Sequence, residues 1–213
     1  MLLTKSVLIV LEGIDGSGKT VLAQNLYTHF TELLSPVLLT KEPGGSHLGK
    51  HIRKVLQEKT VPIDPKAEFL LFAADRAQHF TEVIKPAQKE RSLIISDRMA
   101  DSSLVYQGYG RGLDNATLKT VNNWAMDGIK PDLTLYVKID AQTAQKRLHA
   151  RGKLSAFDQE PLEFFNKLIN GFEDLYNNRQ DVIILDGTLT PEDIAKQAYN
   201  KVLSWIKTNN LIA

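Results

Sequence analysis

Residues Gly13 to Thr20 read GIDGSGKT, which matches the spacing G-x-x-x-x-G-K-[ST]. Glycines at Gly13, Gly16 and Gly18 let a backbone wrap a phosphate with its N–H groups turned inward. The N-terminus of a following helix adds partial positive charge. In such a loop the amides of Gly13, Ile14, Asp15, Gly16, Ser17 and Gly18 hold the phosphates of a nucleoside triphosphate. Lys19 bridges the outer phosphates, and the hydroxyl of Thr20 ligates Mg²⁺. The bland alternative is a tight strand-to-helix turn with no ligand. Asp15 stands out, because a carboxylate beside phosphates is repelled unless it faces a cation or restrains a positive group. It is either the N-terminal cap of the helix or an acid facing a second phosphate substrate.

Further along are residues suited to that second anion. Arg53 lies in "HIRKVL", after the flexible "EPGG" turn; by itself it reads as a surface arginine. Phe72 and Arg76 are four apart, so they share a helix face. The ring can stack on a base while the guanidinium donates to a base carbonyl; a core Phe beside a surface Arg fits the spacing equally. Asp97 and Arg98 close an apolar run, and in a parallel sheet that end faces the ligand crevice. An acid there suits a water of Mg²⁺, and the arginine beside it is costly to bury without an anion. Ser102, Ser103, Tyr106 and Gln107 form a polar cluster just beyond.

The elements that must position these groups follow from the pattern of the whole chain. "SVLIVLE" is a buried strand, and a helix runs from Gly18 to about Leu33. "PVLLTKE", "RSLIISDR", "PDLTLYVKID" and "DVIILDG" are four more strands, each separated from the next by helical pattern. Ser46 and Asp114 are N-caps, and the long segment from Asp64 to Glu90 is a helix bent or interrupted at Pro86. Alternation of this kind implies an α/β three-layer sandwich with a five-stranded parallel sheet covered on both faces. No linker or repeat divides residues 1–213, so one domain is expected. Net charge is +1, which argues against nucleic acid or an acidic membrane surface as a partner. The absence of cysteine excludes disulfides, and the N-terminus lacks the marks of a signal peptide, so a cytoplasmic location is expected. A GTP-driven switch would carry N-K-x-D. The Asn-Lys pairs at Asn166 and Asn200 lack the acid.

Taken together and in order, "LEGIDGSGKT", "KEPGG", "FAADRA", "SDR", "DSSLVYQGYGRG", "KPDLTLYV" and "ARGKLSAFDQEPLEFF" resemble bacterial thymidylate kinase, over roughly residues 5 to 205. The resemblance implies a P-loop NTPase fold with a short lid at about 150–160. It implies transfer of the ATP γ-phosphoryl to dTMP, giving dTDP for dTTP synthesis, with Mg²⁺ as cofactor and a homodimer as the assembly. It places Phe72 on thymine, Arg76 on its carbonyl, and Ser103 and Gln107 on the base edge. Pro43 and Ser102 line the acceptor site, with Tyr106 against the sugar. It puts Arg53 and Arg98 on the dTMP phosphate, and Asp15 on the sugar side. The chain departs from the family pattern at Lys41, where many relatives have arginine, and at Ala156, where some carry a basic lid residue. The transition-state cation must then come from elsewhere. Arg151, four residues after Arg147 on the same helix face, is the first candidate and Lys153 the second; a solvated basic helix end is the plain alternative.

Overall fold

The structure is a computed structural model and describes residues 1–58, 61–152 and 154–212; Lys153 lies outside the described residues. Five parallel strands, β1 (Val7–Glu12), β2 (Val37–Lys41), β3 (Leu93–Asp97), β4 (Leu133–Lys138) and β5 (Val182–Asp186), line up in the order β2-β3-β1-β4-β5. Alternate residues of β1 go to opposite faces. Val7, Ile9 and Leu11 pack beneath α1 (Lys19–Thr31) and α9 (Pro191–Thr208), whereas Leu8 and Val10 meet Phe80, Ile84 and Met99. Burial on both faces is why β1 reads as uninterrupted apolar sequence. The same rule assigns Leu135 and Val137 of β4 to the first face and Tyr136 to the second, with Phe172 and Tyr176 of α8 (Leu162–Tyr176).

On the second face lie α2 (His47–Glu58), α3 (Pro65–His79) and α6 (Asn115–Ala125). Ser46 and Asp114 cap α2 and α6, accepting from Gly49 N–H and Thr117 N–H. After α3 the chain widens into a π-helical segment, Phe80–Ile84, before α4 (Lys85–Lys89). The interruption therefore precedes Pro86 instead of falling on it. A proline ring presses on the turn N-terminal to itself and gives it no hydrogen bond, and widening that turn relieves both problems. The polar cluster in "DSSLVYQGYG" is carried by α5 (Ala100–Ser103), continued as a π-helical segment, Leu104–Gly110, which gives Ser103, Tyr106 and Gln107 fixed positions. Between α7 (Ala141–Arg151) and α8, the polar stretch folds into a short 3₁₀ turn at Phe157–Gln159. Among the described residues no helix is long and apolar enough to cross a membrane.

Candidate active site

Parallel pairing places the C-terminal ends of β1 and β3 side by side, Leu11 opposite Asp97. The P-loop leaves β1 and Asp97-Arg98 leaves β3 at the same edge, where the strand order reverses direction. The P-loop is tightly seated. A Cβ on Gly13 would stand 2.5 Å from the carbonyl oxygen of Val137, and one on Gly16 2.7 Å from that of Ala144. Their φ angles are +143° and +83°, so glycine is required twice over. Ile14 and Ser17 are buried, leaving mainly backbone to face a ligand. Gly18 is the N-cap of α1 and no side chain caps it, so Asp15 is not the cap. Lys19 folds into the loop, its Nζ donating to Ile14 O at 2.8 Å and Ser17 Oγ at 3.2 Å. The Thr20 hydroxyl donates to Asp97 Oδ2 at 2.5 Å.

Two clefts meet here. The first, about 630 Å³ including its open mouth, is lined by Pro43, Arg53, Phe72, Arg76, Arg98, Ser102, Ser103, Tyr106 and Gln107. Every residue expected on the acceptor side thus lines one cavity. Phe157, from the stretch between α7 and α8, adds a third ring, 6.1 Å from Phe72 and 6.2 Å from Tyr106. The second cleft is polar. It is lined by Gly16, Gly18, Lys19, Thr20, Lys41, Asp97, Arg147, Arg151 and Asp158. Asp15, Arg53, Arg98 and Ser155 border both.

Arg98 sits at the junction. Its Nη1 donates to Gly13 O (2.9 Å) and Ser102 Oγ (2.8 Å), and its Nη2 to Asp15 Oδ1 (2.7 Å) and Tyr106 Oη (3.1 Å). Tyr106 closes a ring by donating to Asp15 Oδ2 at 2.8 Å and accepting from Asp15 N–H at 3.1 Å. Arg98 adopts φ +74°, a conformation uncommon outside glycine that clusters at functional sites. Arg76 is more deeply held than its spacing suggested. Its Nε donates to Glu42 Oε2, its Nη1 to Asn122 Oδ1, and its Nη2 to Met99 O and Ser103 Oγ, at 2.6–3.2 Å. These four bonds use most of its five donors. Gln107 Nε2 is likewise engaged, by Glu68 Oε1 at 2.9 Å. Arg53 Nη1 donates to Pro43 O at 2.8 Å. Arg151 and Arg147 do face the same cleft, Arg151 Nη2 reaching Asp158 Oδ2 at 2.6 Å and Arg147 Nη1 the carbonyl of Gly187 at 2.8 Å.

The thymidylate kinase family model matches residues 11–198. A thymidylate kinase of Halothermothrix orenii is 41% identical over 203 residues, covering 93% of this chain and 97% of that one. That of Carboxydothermus hydrogenoformans is 41% identical over 87% of this chain and 91% of its own. The crystal structure of thymidylate kinase from Ehrlichia chaffeensis superposes with a TM-score of 0.74 at 30% identity, covering 93% and 99% of the two chains. This chain belongs to the thymidylate kinase family.

What the sequence patterns of that family did not single out is a set of buried carboxylates. Glu12, Glu42, Glu68 and Asp75 are all buried. Glu42 accepts from Arg76 and, at 2.9 Å, from His79 Nδ1, while His79 Nε2 pairs with Thr40 Oγ1 at 2.7 Å. Burial opposes ionisation of Glu42, but Arg76 and His79 outweigh it and lower its pKa. For Asp75 burial and the nearby Glu42 win: they raise its pKa to about 6, against the Gly44 N–H that it binds and the charges of His79 and Arg76. Glu12 and Glu68 carried one sequence signal, a charge bordering an apolar run. Burial also works against Asp15, yet Arg98 and then Lys19 bring its pKa down to about 2. For Lys19, burial and the charge of Arg98 lower the pKa to about 8, against the pull of Asp15, Asp97 and Glu12. Polyphosphate binding restores the charged ammonium. ATP binding therefore takes up protons at about pH 8.5, where free Lys19 is mostly neutral, and takes up none on its account near pH 6. Calorimetry in buffers of different ionisation enthalpy reads this directly. A binding heat that is independent of buffer at the higher pH contradicts it.

Proposed function

We propose that this enzyme moves the γ-phosphoryl of ATP onto the phosphate of dTMP, with the P-loop cleft holding ATP and the aromatic cleft holding dTMP. The observation that carries this reading is the shared border: two clefts of different chemistry meet at Arg98 and Asp15. Two phosphates brought nose to nose would meet at that point. The nucleophile is already an anionic phosphate oxygen, so no strong general base is needed. The barrier is repulsion and misalignment of two polyanions.

The P-loop amides and Lys19 bind the donor's phosphates. Arg98 and Arg53 hold the acceptor phosphate between them. Asp15 and Tyr106 fix the orientation of Arg98 and border the sugar. Phe72 stacks on the base, with Arg76, Ser103 and Gln107 along its edge and Pro43 and Ser102 completing the walls. Arg151 supplies charge to the transferring group from the lid, residues 150–160 of a single-domain chain; Lys41 is no clamp. The oxygens of Thr20 and Asp97 suit Mg²⁺, a hard cation that takes few protein ligands and completes its shell with phosphate and water. When bound, it neutralises charge on the transferred phosphoryl. Asp97 would hold it through water.

Replacing Arg151 by alanine is expected to lower kcat about 10²-fold with little change in the KM for dTMP, since its charge is needed mainly in the transition state. An unchanged kcat removes Arg151 from the mechanism. The overall assignment is tested by offering ATP with each nucleoside monophosphate in turn; dTMP turnover well below that of another acceptor displaces it.

A homodimer is supported by exposed apolar side chains on α2, α3 and α6, namely Leu48, Val55, Leu70 and Trp124, the last 79% exposed. These helices pack side by side. Trp124→Arg is expected to give monomers by light scattering. The working compartment is the cytoplasm, where ATP is made available to nucleotide biosynthesis.

A further inference from the structure

Glu12 is the last residue of β1, fully buried, and takes no part in the chemistry described above. Its carboxylate reaches out of the strand to the turn that carries Arg98. Oε1 accepts from Met99 N–H at 2.9 Å and from Ser102 N–H at 3.2 Å, and Oε2 accepts from the Ser102 hydroxyl at 2.5 Å. Met99 is the N-cap of α5 and has no side-chain oxygen to serve the helix. Glu12 satisfies those amides from a neighbouring strand. The same Ser102 oxygen that donates to Glu12 accepts from Arg98 Nη1 at 2.8 Å. One carboxylate thus fixes both the backbone turn around Arg98 and the hydroxyl against which its guanidinium rests.

We infer that Glu12 is a positioning residue for Arg98, acting through Ser102 and the N–H groups that open α5. This rests on Arg98 being the anion clamp of the transfer reaction. The carboxylate is out of the reacting groups' way: it lines a separate cavity behind the sheet edge, with Thr134, Asp101 and Arg179. Its effect travels through two short hydrogen bonds and a helix start. Removing its acceptor oxygen leaves the Ser102 hydroxyl free to rotate, and Arg98 loses one of the four bonds that aim it.

The test is a double-mutant cycle on purified full-length enzyme. Glu12→Gln is expected to lower kcat/KM for dTMP about tenfold, the usual effect of leaving a buried hydrogen-bonding group without its partner, while the affinity for ATP measured calorimetrically changes little. In an Arg98→Ala background the same substitution is expected to cost less than about twofold, because its target is gone. Ser102→Ala should reproduce part of the loss, and Ser102→Thr, which keeps the hydroxyl, should restore it. A merely structural Glu12 would lower the melting temperature and leave the cycle additive; that result, or a kinetically silent Glu12→Gln, overturns the inference. If Glu12→Gln fails to fold, the Ser102 pair decides: equal rates for Ala and Thr overturn it, and rescue by Thr upholds it. An Arg98→Ala enzyme as fast as wild type would instead overturn the clamp reading itself.

Discussion

Lys19→Met is expected to slow turnover by about 10²–10³-fold and to weaken ATP binding, because it removes the ammonium folded into the phosphate loop. Methionine keeps the length and the buried stem, so the loss reports charge and hydrogen bonding rather than a cavity. The fold should gain. Burial and the charge of Arg98 hold the pKa of Lys19 well below its ordinary value, so the folded protein disfavours the ammonium that it carries at pH 7. In the native state Lys19 releases its proton near pH 8, while the unfolded chain keeps it to about pH 10.4. Between those values the unfolded state binds more protons, and this group's contribution to stability rises with pH. The variant should therefore melt above wild type at pH 7, with the gap closing above pH 8. Activity and stability traded in opposite directions are common where a site stores unfavourable charge. Unchanged ATP affinity and turnover would leave the P-loop assignment without support.

Arg98 carries the second large effect. Arg98→Ala is expected to cost about 10²–10³-fold in kcat/KM for dTMP, and Arg98→Lys to recover only part, since a lysine cannot reproduce the fork that meets Gly13, Ser102, Asp15 and Tyr106 together. The backbone gives a second readout. At φ +74° an alanine retains a left-handed strain that glycine does not feel. Arg98→Gly should therefore be more stable than Arg98→Ala by about 1–2 kcal/mol while being equally inactive. Denaturant melts of the pair separate the strain from the function. Equal stabilities would show that the turn relaxes once the guanidinium is gone.

Much of this site was readable in the chain. The glycine loop announced itself because its chemistry depends on local spacing, strand before and helix after. Phe72 and Arg76 were placed on one face by helical periodicity, and both line the first cleft. Asp97 and Arg98 were placed at the ligand edge by the parallel order of strands. Other features were invisible for identifiable reasons. Net charge of +1 concealed a cleft bordered by Lys19, Lys41, Arg53, Arg98, Arg147 and Arg151, since summing charges discards where they sit. The segment 100–110 gave no helical signal because its polar residues face a cavity and because a π-helical turn breaks the 3.6 period.

Sequence alone determined the alternation of strands and helices, the two-faced parallel sheet, the phosphate-loop motif and many of the residues that line the first cleft, because each is encoded by neighbours along the chain. Tertiary structure alone decided who holds whom. Asp15 turned out to be the partner of Arg98 and Tyr106 and not a helix cap, Arg76 the partner of Glu42 and Asn122, and Glu12 the anchor of Ser102. Those pairings join residues tens of positions apart, and nothing in local spacing specifies them. They arise because burial makes an unpaired charge costly, so each buried group is matched with whichever partner the packed sheet and helices bring within reach.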